Sequence, residues 1–163
     1  MEKLQWIQNK ILSREDTLRQ CNIWRASGQK IVFTNGCFDI LHYGHYYLLA
    51  EAAQRGNKLV LALNTDASVQ RLKGPDRPVN NEHDRAFQAA SLMFVDAVCF
   101  FDESTPMELI ELLDPDVLVK GGDYNIKQVV GADYVMDRAG IVLIVPFVDG
   151  YSTTSLISRI KEL

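Results

Sequence analysis

Cysteine, histidine and excess positive charge are all scarce in this chain of 163 residues, and each scarcity closes off a class of function. Cys21, Cys37 and Cys99 are odd in number and widely spaced, with no CxxC pair and no Cys/His cluster at zinc spacing. That excludes a disulfide framework and a structural zinc site, and it suits reduced thiols in a cytoplasm. Acidic residues outnumber basic ones, 21 against 17, for a formal net charge of -4. Such a balance argues against a nucleic-acid partner held by bulk electrostatics. No apolar run approaches the roughly 18 residues of a membrane span, so no membrane partner is expected. Met1-Glu2-Lys3-Leu4-Gln5-Trp6 lacks the apolar core of a signal peptide. Internal repeats and low-complexity segments are also missing. What remains is an ordinary globular composition, 47% hydrophobic and 23% charged, in a chain long enough for one proper core.

The pattern of what is present predicts alternating strands and helices. Two helices are expected at 3–12 and 14–26, with Ser13 and Asp16 as a capping box and Gly28 as a stop. These form an N-terminal helical extension, residues 1–28, ahead of a second unit at 29–163. Apolar β-rich runs at 31–34, 58–64, 97–101, 117–120 and 141–145 read as strands. Helices are expected between and after them at 44–55, 65–72, 82–94, 105–113, 134–139 and from 153 to the end, with Gly56 stopping the first of these. Short apolar strands alternating with helices imply a Rossmann-like α/β fold, a doubly wound parallel sheet of about five strands with helices on both faces. In such sheets ligands bind beyond the carboxyl ends of the strands, at a switch in strand order.

Every unusual polar cluster falls at such an end. After the first strand comes Thr34-Asn35-Gly36-Cys37-Phe38-Asp39-Ile40-Leu41-His42-Tyr43-Gly44-His45, which holds two of the three histidines. A strand-to-helix junction with free N–H groups and a helix dipole favours a phosphate. Gly44 leaves room for one, and two imidazoles can donate to oxygens that gain charge in a transition state. Lys120 ends an apolar strand, where a cation needs an anion. Gly121 and Gly122 let the backbone approach a flat base. Asp123 is either a contact to base or ribose or a plain turn residue. Ser152, Thr153 and Thr154 open the last helix as a cap, a phosphate site or both. Asp39 either orients the histidine loop or holds a hydroxyl. Cys37 reads as a small buried side chain, and His83 as solvent-facing. Asp114 and Asp116 read as solvated turn residues, and no acidic cluster suggests a protein metal cage.

These blocks resemble a known family. Gly36 to Asp39 with His42-Tyr43-Gly44-His45 is similar to the HxGH signature of the nucleotidyltransferase superfamily. Ser152-Thr153-Thr154 resembles the serine/threonine signature of its cytidylyltransferase-like branch. The segments 34–45, Asn64 to Val69, Arg71 to Gly74 with Arg77 to Asn80, Leu118 to Tyr124 and Asp149 to Thr154 resemble bacterial heptose 1-phosphate adenylyltransferases. The likeness spans about 30–160.

The resemblance implies transfer of AMP from ATP to a D-glycero-D-manno-heptose 1-phosphate, with release of pyrophosphate, for lipopolysaccharide synthesis. It makes His42, His45 and Lys120 the catalytic residues. Nucleotide contacts fall to Thr34, Asn35, Gly36, Cys37, Phe38, Gly121, Asp123, Ser152, Thr153 and Thr154, and substrate contacts to Asp39, Asn64, Asp66, Lys73, Arg77 and Arg85. Magnesium is expected to arrive with ATP. A separate sugar kinase is expected upstream, since no kinase fits in 163 residues, and the family's habit implies a homo-oligomer. A glycerol 3-phosphate cytidylyltransferase would use the same histidines. Outside the enzymes, a nucleotide-binding module or a flavodoxin-like electron carrier would share the fold.

Overall fold

The computed structural model of the chain describes residues 2–123 and 125–163. Tyr124, the last residue of the glycine-bearing block after the fourth strand, lies outside the described residues, as does Met1.

Five apolar runs form five strands: β1 (Ile31–Gly36), β2 (Lys58–Asn64), β3 (Ala97–Phe101), β4 (Val117–Gly121) and β5 (Ile141–Val145). All pairings are parallel, and the order across the sheet is β3-β2-β1-β4-β5. Successive strands thus move outward from β1 in one direction and then, from β4, in the other. The switch in strand order lies between β1 and β4. A parallel sheet needs cover on both faces, because its runs are apolar on both. Alternation along each strand divides the core into two clusters. Phe33, Ala62, Cys99 and Leu118 face one side, and Val32, Leu61, Val98 and Val119 the other.

The first face is covered by α2 (Arg14–Ala26), α6 (Met107–Leu113) and α7 (Ala132–Asp137), through Cys21, Leu109, Ile110, Leu113 and Val135. The second is covered by α3 (Tyr43–Ala53) and α5 (Glu82–Ala90), through Leu49, Ala52, Ala86 and Ala89. A short α1 (Lys3–Gln8) lies ahead of these, α4 (Asp66–Lys73) follows β2, and α8 (Thr153–Lys161) comes last. Cys21 and Thr17 of α2 are fully buried, so the first 28 residues pack into the same core as the sheet. Of the apolar residues near the start, Ile7 packs inward while Leu4 and Trp6 stay exposed.

Several boundaries differ from the pattern reading. The first helix stops at Gln8 rather than 12, because residues 10–12 run alongside β3 and pair with it. The Val98 N–H donates to the Lys10 carbonyl at 2.8 Å, and the Leu12 N–H to the Val98 carbonyl at 2.8 Å. An edge strand with open backbone groups is satisfied this way, and local periodicity carries no sign of it. The expected 82–94 helix ends at Ala90, and the expected 134–139 helix lies at 132–137, preceded by a 3-10 turn at Ile126–Gln128. Ser13 caps α2 as expected, accepting from the Asp16 N–H at 3.0 Å, but the Asp16 carboxylate accepts from the Ser13 hydroxyl instead of reaching back to the main chain. Asp114 and Asp116 are not merely solvated. Arg138 donates to both oxygens of Asp114, and Asp116 accepts from the Ile31 N–H at 2.7 Å, pinning the start of β1.

Gly28 has the left-handed φ of +71° that a helix stop favours. Gly56 is required for a different reason: a Cβ there would stand 2.6 Å from Val32 Cγ2 and 2.9 Å from the Lys30 carbonyl oxygen. Backbone cannot yield as a side-chain tip does. Gly56→Ala is therefore expected to lower stability by about 1–3 kcal/mol, read as a lower urea midpoint. An unchanged midpoint would contradict this close approach.

Candidate active site

At the end of β1 the chain turns sharply, with Phe38 (φ 48°) and Ile40 (φ 54°) both in the left-handed region. Few non-glycine residues tolerate that region, and a β-branched one least. Asp39 between them is buried and holds the turn. Its carboxylate accepts from Arg77 Nε at 2.8 Å, from the Val79 N–H at 2.8 Å and from the Asn80 N–H at 2.9 Å. Burial alone would raise its pKa, but those two N–H groups and the Arg77 guanidinium outweigh it and hold the carboxyl below its usual range. Its main-chain carbonyl accepts from Thr153 Oγ1 at 2.9 Å, tying the last helix to the same turn. Of the two roles foreseen for Asp39, this side chain performs the structural one, and Arg77 spends its Nε and one terminal nitrogen on it.

His42 is the N-cap of α3, and His45 sits in its first turn. Their rings stack with centroids 3.8 Å apart, and Phe38 lies against His45 at 5.1 Å. Nδ1 of each ring is buried and has no partner among the described residues. Buried polar atoms are nearly always paired, so two such orphans side by side are a cost that the site carries. Gly44 keeps the His42 ring seated, since a Cβ there would stand 3.2 Å from its Nδ1. Burial lowers the pKa of both rings; for His45, burial and then the neighbouring His42 bring it down to about 4, against a small opposing pull from Asp39. Both imidazoles are therefore neutral near pH 7.

Arg85 corrects its assignment as a substrate contact. The side chain is fully buried, and four of its five donors are already used. Nε donates to the Asn80 carbonyl at 3.1 Å, and one terminal nitrogen to the Cys37 carbonyl at 2.7 Å. The other donates to the Asn64 carbonyl and to Asp66 Oδ1, both at 2.8 Å. The guanidinium thus ties the ends of β1 and β2 together and leaves no face for a phosphate. Asp66 gives one carboxylate oxygen to Arg85 and lines neither cavity described below. Thr34 is likewise sealed inside β1 with its hydroxyl unpartnered among the described residues.

Two cavities open over the carboxyl ends of the strands. The larger, about 570 Å³, holds His42, His45, Phe38, Asp39, Arg77 and Gly121, with Ser152, Thr153 and Thr154 on its rim. The smaller, about 370 Å³, holds Lys120, Asn35, Gly36 and Asn64. Cys37 and Lys73 line both. Lys120 is therefore beside the histidines' cavity, not within it. Burial lowers the pKa of Lys120, with a small opposing effect of Cys37, and Lys120 forms no ion pair among the described residues. Burial pushes the Cys37 thiol up, which is the wrong direction for a nucleophile. Ser152 acts as an N-cap, accepting from the Ser155 N–H at 3.0 Å. Asp123 is exposed and lines neither cavity. His83 is exposed, as read from its surroundings.

Sequence reasoning missed the apolar wall of the larger cavity, Leu48, Val145, Phe147 and Tyr151, and the polar lining of the smaller, Ser104, Thr105 and Gln128. Ser104 and Thr105 directly follow the third strand, so the rule that ligands sit beyond strand ends reaches them. Among the described residues no three His, Cys, Asp or Glu side chains are grouped as a metal site requires. No helix there is long and apolar enough to cross a membrane.

The cytidylyltransferase-like family model matches residues 33–159. The bifunctional protein HldE of Marinomonas sp. (strain MWYL1) is 53% identical over 149 residues, 91% of this chain and 31% of that protein. The bifunctional protein HldE of Caulobacter vibrioides is 52% identical over 153 residues, 94% of this chain and 32% of that protein. The chain thus spans about a third of the length of the curated relatives it matches. Among solved structures, a lipopolysaccharide core biosynthesis protein from Thermoplasma volcanium GSS1 superposes with a TM-score of 0.60 at 28% identity, covering 77% of this chain and 100% of that one.

Two outcomes test the geometry. Arg85→Met leaves Asp66 and three carbonyls without their donor, and is expected to cost about 3–5 kcal/mol in urea unfolding. Arg85→Lys should recover little, because an ammonium cannot reproduce the fork. For His45, the unfolded chain takes up a proton below its ordinary 6.5, and the folded chain only near about 4. The stability tied to this group is thus complete above pH 6.5 and is lost as pH falls toward 4. Unfolding midpoints of His45→Gln should decline less steeply than wild type across that window; equal slopes would contradict the depressed value.

Proposed function

The chain belongs to the cytidylyltransferase-like family, and from that premise we propose that it transfers AMP from ATP to a heptose 1-phosphate, giving ADP-heptose and pyrophosphate for lipopolysaccharide core synthesis. The observation that carries a phosphoryl-transfer reading is the pair of stacked neutral imidazoles that line the larger cavity at the N-terminus of α3. The likeness to HldE proteins and to a lipopolysaccharide core biosynthesis protein supports the sugar and the pathway.

In the reaction an oxygen of the sugar phosphate forms a bond to the α-phosphorus of ATP. The bond from that phosphorus to the α,β-bridging oxygen breaks, and pyrophosphate leaves with the electron pair. The attacking oxygen is already an anion near pH 7, so no strong base is needed. The protein must instead bring two anions together and meet the charge that grows on the phosphates. Neutral imidazole N–H groups donate hydrogen bonds there, with the α3 N-terminus behind them. Lys73, at the junction of the two cavities, reaches phosphates from either side. Lys120, half-buried and without an ion-pair partner among the described residues, is met by a phosphate at the end of β4.

The donor set fits magnesium carried by the triphosphate. The buried carboxylate of Asp39 is saturated by Arg77 and two N–H groups, whereas the imidazoles, hydroxyls and cations of the site suit phosphate oxygens. Bound in this way, the ion supplies charge neutralisation. The same proposal includes a sugar kinase that makes the acceptor, a cytoplasmic location, and a homo-oligomer drawing on exposed apolar residues such as Leu4 and Trp6.

Pyrophosphate release should occur with ATP and heptose 1-phosphate, and not with CTP and glycerol 3-phosphate. The reverse preference would overturn the assignment of base and sugar. His45→Ala should lower kcat by about 10²–10³ with an unchanged circular dichroism spectrum. Wild-type turnover in that variant would remove the histidines from the mechanism.

A further inference from the structure

The two cavities lie on opposite faces of the sheet. Counting by twos along the strands, Asn35, Asn64 and Lys120 share the face of Phe33, Ala62 and Leu118, under α2, α6 and α7. They line the smaller cavity. His42, His45 and Leu48 come from the turn before α3 and from α3 itself, which covers the other face, and they line the larger. The cavities meet only over the end of β1 and the end of α4, at Cys37 and Lys73.

Both linings mix polar and apolar groups, but the aromatic side chains Phe38, Phe147 and Tyr151 gather in the larger. The larger has an apolar wall that includes Leu48, Val145, Phe147 and Tyr151, and Gly121 brings bare backbone against it. That surface suits a flat base. The smaller brings Ser104, Thr105, Asn35 and Gln128 together with two lysines, Lys73 and the half-buried Lys120, beside Leu72, Phe101 and Val129. The Gln128 carbonyl oxygen accepts from the Asn125 N–H at 3.2 Å, which leaves its amide as a donor. A cavity with several polar side chains and two lysines matches a molecule with several hydroxyls and a phosphate. Its volume of about 370 Å³ suits a single small molecule.

We propose that the smaller cavity is the acceptor subsite, in which Lys120 takes the phosphate of a sugar 1-phosphate and Ser104, Thr105 and Gln128 read its hydroxyls. This rests on the adenylyl-transfer reading above. The nucleotide and the sugar phosphate reach the sheet from opposite faces, and their phosphates meet over Cys37 and Lys73. Specificity for the sugar lies with residues that follow β3 and β4 rather than with the histidine turn.

The test separates the two faces. Heptose 1-phosphate is titrated calorimetrically into the protein holding a non-hydrolysable ATP analogue, and the analogue is titrated alone. Thr105→Val and Gln128→Ala, both at exposed positions, should each weaken the sugar phosphate by about three- to tenfold and leave the analogue unchanged. Phe147→Ala, on the apolar wall, should weaken the analogue by a similar factor and leave the sugar phosphate unchanged. Loss of analogue affinity in the first pair, loss of sugar affinity in Phe147→Ala, or unaltered sugar affinity in both Thr105→Val and Gln128→Ala would overturn the assignment. Pyrophosphate release by the wild-type protein, followed alongside, reports on the transfer reaction by itself. Release together with unselective variants would remove the subsite alone, and absence of sugar-phosphate binding to the wild type would remove both.

Discussion

A guanidinium cut off from water has to be met by protein acceptors, and at Arg85 four are supplied from three separate parts of the chain. The carbonyls of Cys37 and Asn64 come from the ends of neighbouring strands, that of Asn80 from the loop before α5, and the carboxylate from Asp66. Carbonyls at strand ends have no ladder partner beyond the last pair, so a planar fork completes them. A buried ion of this kind adds little net stability compared with a well-packed apolar residue, but it tolerates few arrangements of its partners. The position of the histidine turn relative to β2 follows from it. Asp39 adds a second fixed point one turn further on, joining Arg77, the loop at 79–80 and Thr153. Two buried charges thus hold the histidine turn in place from behind.

That frame explains how unfavourable local states persist. Phe38 and Ile40 hold left-handed backbone angles, and two imidazoles stack with buried nitrogens unpaired. Each is costly alone and survives only where its surroundings leave no alternative. The reward lies in preorganisation: donors that are fixed and poorly hydrated before the ligand arrives need no reorientation as charge develops. The neutrality of His45 fits the same logic. Burial and a neighbouring ring disfavour its charged form, and a phosphate is the kind of partner that restores the balance.

Much of this was legible in the sequence because it is local. The five strands are apolar runs with β-branched residues, and a parallel sheet needs little more to be read. The ends of those strands carried the polar clusters, so position alone singled out His42, His45, Gly121, Lys120 and Ser152 to Thr154, each of which lines one of the two cavities. The family resemblance on HxGH and the serine/threonine block agrees with the match across residues 33–159. What failed depended on distant partners. Arg85, in the first turn of a helix beside Asp84, looks like any solvated cation until the ends of β1 and β2 close around it. Residues 10–12 continue a helical pattern, and only the open edge of β3 draws them out of it. Asp39 was left between two roles, and the choice turned on Arg77, 38 positions away.

Strand parity also carries a consequence for chemistry. A reaction between two phosphate-bearing molecules must hold like charges apart until they are aligned, and a sheet does this without a moving part. Its edge is one layer thick, and residues one apart on a strand point to opposite sides. Gly121 and Lys120 are such neighbours: the glycine opens toward α3 and the histidines, and the lysine toward α6 and the 3-10 turn. The switch between β1 and β4 places both at the one point in the sheet where neighbouring crossovers lead away from each other. On the acceptor-subsite proposal each anion is met by its own cation or helix terminus on its own face, and the two come together only at the rim, where Lys73 is shared. A site arranged in that way would select two substrates independently, since the two linings have only Cys37 and Lys73 in common.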